Sequence, residues 1–95
     1  MRKVKEPVYK SASSTLSIGI NWSFLTNTDT IATSVWTCDD PEIVISRNQI
    51  SGKQTSCLVS GGVTGKRYKV FNTVETSDDL VDSRYFVIVI QDTQV

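Results

Sequence analysis

Ser60-Gly61-Gly62-Val63-Thr64-Gly65-Lys66-Arg67-Tyr68-Lys69-Val70-Phe71-Asn72-Thr73-Val74 is the stretch that decides the fold. Gly61, Gly62 and Gly65 mark a turn, since glycine alone enters left-handed backbone regions without steric cost. Beyond it, Tyr68, Val70, Asn72 and Val74 alternate with Lys69, Phe71 and Thr73. Successive side chains of a strand point to opposite faces, so this period of two predicts a strand with Tyr68, Val70 and Val74 inward and Phe71 outward. A tyrosine just past a turn can pack its ring in a core and send its hydroxyl back to the upstream backbone. The glycines are not a phosphate-binding loop, because that chemistry needs a following helix N-terminus and a strand follows here.

Working outward, the same alternation recurs in short runs separated by turn signals, and no helical period is present. Upstream, Leu16, Ile18, Ile20 and Trp22 form one face of a strand. Asn27-Thr28-Asp29 is a turn, and Thr30 to Cys38 is a strand with Ala32, Ser34, Trp36 and Cys38 on one face. Asp39-Asp40-Pro41 ends it. Glu42 to Ser46 is a short strand, Ser51-Gly52-Lys53 a hairpin turn, and Thr55 to Ser60 a strand with Cys57 and Val59 inward. Downstream, Thr76-Ser77-Asp78-Asp79 is a polar loop, and Ser83 to Ile90 is the last strand, with Phe86, Ile88 and Ile90 on one face. A short edge strand near Val8-Tyr9 completes the count. The expectation is an all-β, immunoglobulin-like (fibronectin-III-like) sandwich of about seven antiparallel strands. Residues 1–14 form an extended N-terminal arm and residues 15–95 the domain. Trp22, Trp36, Tyr68 and Phe86 are its expected core.

Ninety-five residues suffice for one domain with one modest core. Ten basic and ten acidic side chains cancel, so no overall basic field draws nucleic acid or an anionic membrane. No apolar run approaches the length of a membrane-spanning helix, and no apolar segment follows Arg2, Lys3 and Lys5 as in a signal peptide. Cys38 and Cys57 match no metal spacing and are expected as inward thiols rather than a disulfide.

The catalytic inventory is poor. The absence of histidine removes the commonest general base and metal ligand, and no nucleophile elbow, phosphate loop or dinucleotide fingerprint occurs. Asp39-Asp40 with Glu42, and Asp78-Asp79 with Asp82, are the places where carboxylates bunch as a calcium loop would require; solvation is the simpler reading of both. No enzyme activity and no cofactor are expected.

Strand parity supplies candidate contact residues. With Phe86, Ile88 and Ile90 inward, Tyr85, Val87 and Val89 face outward, beside Phe71 on the neighbouring strand. An apolar outer face on a small domain marks a contact. The competing reading is that the chain's own N-terminal arm covers it. Arg2, Lys3, Lys5 and Lys10 form a basic arm suited to ordering on a partner.

Several stretches together resemble the small immunoglobulin-like virion proteins of tailed bacteriophages known as fibre–tail adaptors or minor structural proteins. They are Lys5-Glu6-Pro7, Ile20-Asn21-Trp22-Ser23-Phe24-Leu25, Asp29 to Thr37, Leu58 to Gly65 followed by Tyr68, Val70 and Asn72, and Asp82-Ser83-Arg84-Tyr85-Phe86. Residues 10–14 and Cys38 to Glu42 depart from that pattern. The resemblance implies a non-enzymatic virion protein made in the host cytoplasm. It implies an adaptor at the head–tail or tail–fibre junction, in a symmetric ring against connector, tail or fibre proteins. A capsid decoration protein is the first alternative. A carbohydrate-binding or adhesion module, with Trp22 and Tyr9 as its only candidate platform, is the second.

Overall fold

A computed structural model describes the main chain of residues 2–3 and all of residues 7–23 and 30–91. These residues form strands and turns only. The strands are β1 (Arg2–Lys3), β2 (Val8–Lys10), β3 (Leu16–Asn21), β4 (Ile31–Cys38), β5 (Ile43–Ser51), β6 (Gln54–Gly61), β7 (Arg67–Thr76) and β8 (Val81–Ile90). They make two sheets. The larger has the order β1-β8-β7-β4, with β2 also on β8; the smaller has the order β3-β6-β5. Each of the expected strands is present, and the two-residue β1 is an addition.

The structure differs from the sequence expectation in three local ways. β1 and β2 pair with β8 in parallel, so the sheet is not purely antiparallel. β5 runs on to Ser51 instead of stopping near Ser46, because a bulge at Arg47-Asn48 absorbs the register change and lets pairing with β6 resume at Gln49. Arg47 takes a left-handed φ of 53° there, and Asn48 Nδ2 donates to Ser34 O across the gap, 2.7 Å away. A register shift between Ile31 and Thr33 turns Ile31 inward and leaves Ala32 exposed, contrary to the simple alternation of Ala32 with Ser34, Trp36 and Cys38. The Asn27-Thr28-Asp29 turn lies outside the described residues.

The core divides into two apolar clusters. One holds Ile18, Trp36, Ile43, Cys57, Val59, Tyr68, Val70, Phe86, Ile88 and Ile90; the other holds Trp22, Ile31 and Val74; Ile20 packs against both. Trp36 and Phe86 stack with ring centroids 6.2 Å apart. The four expected core residues are all buried.

Between the clusters lies a polar layer centred on Asn72, which is fully buried on β7. Its Oδ1 accepts from Thr55 Oγ1 at 2.6 Å and from Trp22 Nε1 at 3.3 Å. Its Nδ2 donates to Ser34 Oγ at 2.9 Å and to Val35 O at 3.2 Å. Trp22 Nε1 also donates to Thr55 Oγ1, 3.0 Å away. A buried amide is costly unless its hydrogen-bonding capacity is met, and here both ends are engaged. The network joins β7 and β4 of one sheet to β6 of the other.

Candidate protein interface

Tyr68, Val70, Asn72, Val74 and Thr76 of β7 face the core, as do Phe86, Ile88 and Ile90 of β8. The outward rows follow from the register. Phe71 lies opposite Tyr85, Lys69 opposite Val87, and Arg67 opposite Val89, which in turn pairs with Tyr9. The rings of Phe71 and Tyr85 pack with centroids 5.6 Å apart. Lys69 Nζ sits 5.3 Å from the Tyr85 centroid, a cation–π distance.

The structure therefore brings Phe71, Tyr85, Val87 and Val89 together on the outer face of the larger sheet, each half-buried among its neighbours. Two apolar residues that strand parity did not single out extend it: Tyr9 on β2 and Val35 on β4, each 54% exposed. The alternation of β4 turns Val35 outward, but its place beside this face comes from the β4–β7 pairing, where it lies opposite Thr73. The described part of the arm lies along the edge of β8, not across this face.

The basic arm residues have separate fates. Arg2 and Lys3 place their main chain opposite Arg84 and Tyr85. Lys5 lies outside the described residues. Lys10 is taken up by the fold: it is 2% exposed, and its Nζ donates to Ser11 O and Gly61 O, each 2.6 Å away. Burial pushes its pKa below the ordinary lysine value. The expected partner-facing role does not fit Lys10, whose ammonium is spent on main-chain carbonyls.

Lys10 reaches the glycine turn that precedes β7. There Tyr68 Oη accepts from Val63 N at 2.9 Å and donates to Glu42 Oε1 at 2.6 Å. Lys66 Nζ donates to the same Glu42 oxygen at 2.7 Å and lies 3.6 Å from Asp40 Oδ2. The Lys66 hydrogen bond, then that from Tyr68, holds the Glu42 carboxyl below its usual pKa. Gly61 and Gly62 take φ of 85° and 95°. A Cβ on Gly61 would meet Glu42 O, and one on Gly62 would come within 2.7 Å of Ile90 Cδ1. Both positions take backbone conformations that favour glycine, and at Gly61 the main chain of the β4–β5 loop leaves no room for a side chain.

Four of the clustered carboxylates have local partners. Asp40 and Glu42 flank the Lys66 ammonium, Thr76 Oγ1 donates to Asp78 Oδ1, and Asp82 Oδ1 accepts from Ser83 N. Among the described residues no group of carboxylates or cysteines is placed to hold a metal ion. Cys38 is half-buried and Cys57 buried, both as free thiols, and burial pushes Cys57 up to about 12. Trp22 is wholly buried, which removes it as a sugar platform; Tyr9 is left alone on the surface.

No curated protein matches this chain. A family model described as podophage GP4 fiber-tail adaptor protein gp77 matches residues 10–89. That span holds Lys10 of β2, all of β3 to β7 and β8 up to Val89, and with them both core clusters except Ile90, the Asn72 network and the Phe71–Tyr85 face. The chain belongs to the podophage fiber-tail adaptor family gp77.

Proposed function

We propose that this protein is a non-enzymatic virion adaptor, set between the tail and its fibres, which acts through protein–protein contacts. The family match over residues 10–89 is the observation that carries this reading. Its contact surface is the outer face of the larger sheet, centred on Phe71, Tyr85, Val87 and Val89. The apolar character of that face supports the assignment, as does the edgewise course of the described arm, which leaves the face open. Several copies form a symmetric ring about the tail axis, and the partners are connector, tail or fibre proteins of the particle.

The domain that presents this face is immunoglobulin-like. The orders β3-β6-β5 and β8-β7-β4 correspond to strands B-E-D and G-F-C of a constant-type domain. Trp36 on the third of these strands and the hydrogen bond from Val63 N to Tyr68 Oη support the same reading. The inter-sheet disulfide of antibody domains has no counterpart, since Cys38 and Cys57 are free and lie on β4 and β6.

Copy number tests this function. Quantitative mass spectrometry of purified particles is expected to give a fixed small ratio to the portal protein. A count that scales with the major capsid protein would make it a decoration protein, and absence from the particle would overturn the virion assignment.

A further inference from the structure

The turn between β7 and β8 is a braced acidic tip. Thr76 N donates to Leu80 O at 2.8 Å, Leu80 N to Thr76 Oγ1 at 3.0 Å, and Asp79 N to Thr76 O at 3.1 Å. Ser77 N ties the tip to Thr30 O, 3.1 Å away. The brace holds Leu80 and Val81 outward, 42% and 63% exposed, between Asp78 and Asp79 on one side and Asp82 on the other. An apolar pair fixed in solvent among carboxylates is preorganised for a partner with an apolar floor and a cationic rim.

This chain carries such a surface. At the opposite end of the same sheet a shallow hollow of about 280 Å³ is lined by Asp39, Arg67, Tyr68, Lys69 and Val87. Arg67 and Lys69 are exposed and outnumber the single carboxylate. The seven-residue step from Lys69 to Thr76 along β7 separates hollow from tip by about 24 Å at ~3.4 Å per residue. One molecule cannot bring them together.

We infer that the tip of one copy, Leu80 and Val81 with their flanking aspartates, seats in the Arg67–Lys69 hollow of a second copy. This rests on the adaptor reading, in which several copies stand side by side, and it names a second copy as the occupant of one end of the proposed face. Because two different patches meet, the contact is heterologous and can repeat from copy to copy, closing into the ring of the adaptor reading where the rotation between copies closes.

The test is complementation, read by analytical ultracentrifugation of the full chain. Leu80→Asp with Val81→Asp removes the tip, and Arg67→Glu with Lys69→Glu removes the hollow; all four residues are exposed. Val81→Asp alone serves if the double tip variant melts early. Wild type is expected to self-associate, less so as salt rises, and each variant alone to be monomeric. The two variants mixed should give one-to-one dimers, since one intact tip then meets one intact hollow. A wild type that stays monomeric, a variant that still self-associates, or a mixture that yields no dimer overturns the contact. If the wild-type protein is nonetheless present in purified particles, the adaptor reading survives that failure; its absence from particles overturns the adaptor reading itself.

Discussion

Replacing Asn72 by leucine tests whether the polar layer locks the two sheets together. Leucine keeps the branched shape of the amide but neither donates nor accepts. Thr55 Oγ1 then loses its acceptor, and Ser34 Oγ and Val35 O lose their donor. Trp22 Nε1 keeps Thr55 Oγ1 at 3.0 Å, so the indole is spared. A buried polar group left without its partner costs about 1–3 kcal/mol, with hydroxyls at the low end because they rotate. Three such groups cost roughly 5 kcal/mol, and burying leucine in place of an amide returns about 2 kcal/mol. The net is about 3 kcal/mol. In a domain of this size that lowers the melting temperature by roughly 12–24 °C. Thermal melting followed by circular dichroism reads this directly. Thr55→Val, which removes the other end of the shortest bond, is expected to couple to Asn72→Leu by about 1 kcal/mol in a double-mutant cycle. A leucine variant that melts within about 2 °C of wild type would refute the reasoning.

Asn72→Asp adds a pH dependence of defined sign. A buried carboxyl has its folded pKa raised, so the penalty is small in acid and grows as pH rises through the ordinary carboxylate range; urea titrations at about pH 4 and about pH 7 check this. Glu42 acts in the opposite sense. Its folded pKa is depressed by Lys66 and Tyr68, so its contribution is present above the ordinary carboxylate value and lost as pH falls through the folded one. The stability difference between wild type and Glu42→Gln should shrink on acidification; a difference that grows in acid contradicts the assigned partners. Gly52→Ala and Gly61→Ala both force alanine to positive φ, but only Gly61 has a neighbouring atom, Glu42 O, in the way. The first should cost about 1 kcal/mol and the second at least twice that, measured by urea unfolding. Cys57, 1% exposed with its pKa at about 12, should resist alkylation until the protein unfolds; labelling of native Cys57 within minutes would contradict its burial.

Strands were legible in the sequence wherever one face is apolar and the other polar. Leu16 to Trp22, Arg67 to Glu75 and Ser83 to Ile90 declare themselves in this way, and burial follows the parity read from each, while Thr76, read as the start of a polar loop, is the buried last residue of β7. Tyr68 was legible as a corner residue because a ring at the head of a strand beside a glycine turn has few other places to go. Its second partner, Glu42, was not, since that bond depends on how the β4–β5 loop meets a strand distant in sequence. Bulges escaped for a related reason. Ile31-Ala32 and Arg47-Asn48 change register to suit a neighbouring strand, and no local period reports a neighbour. Asn72 could be placed inward by alternation, but the partners that make it tolerable come from three other strand regions. For Lys10, charge and position predicted an exposed arm. The long side chain instead reaches the carbonyl of Gly61, a residue 51 positions away in sequence.

The outward face of β7 and β8 followed from parity, and its neighbours Tyr9 and Val35 followed from sheet order, which only the folded chain supplies. The exposed pair Leu80-Val81 lies just past the Thr76 to Asp79 stretch that composition marks simply as polar, where the turn passes into β8.

The most direct test of the adaptor account is to carry Val87→Glu with Val89→Lys into the phage and measure the protein in purified particles. Both substitutions lie on the outer face, so the isolated variant should melt close to wild type. The account predicts a folded protein that is missing from the particle. A folded variant incorporated at the wild-type level would contradict it.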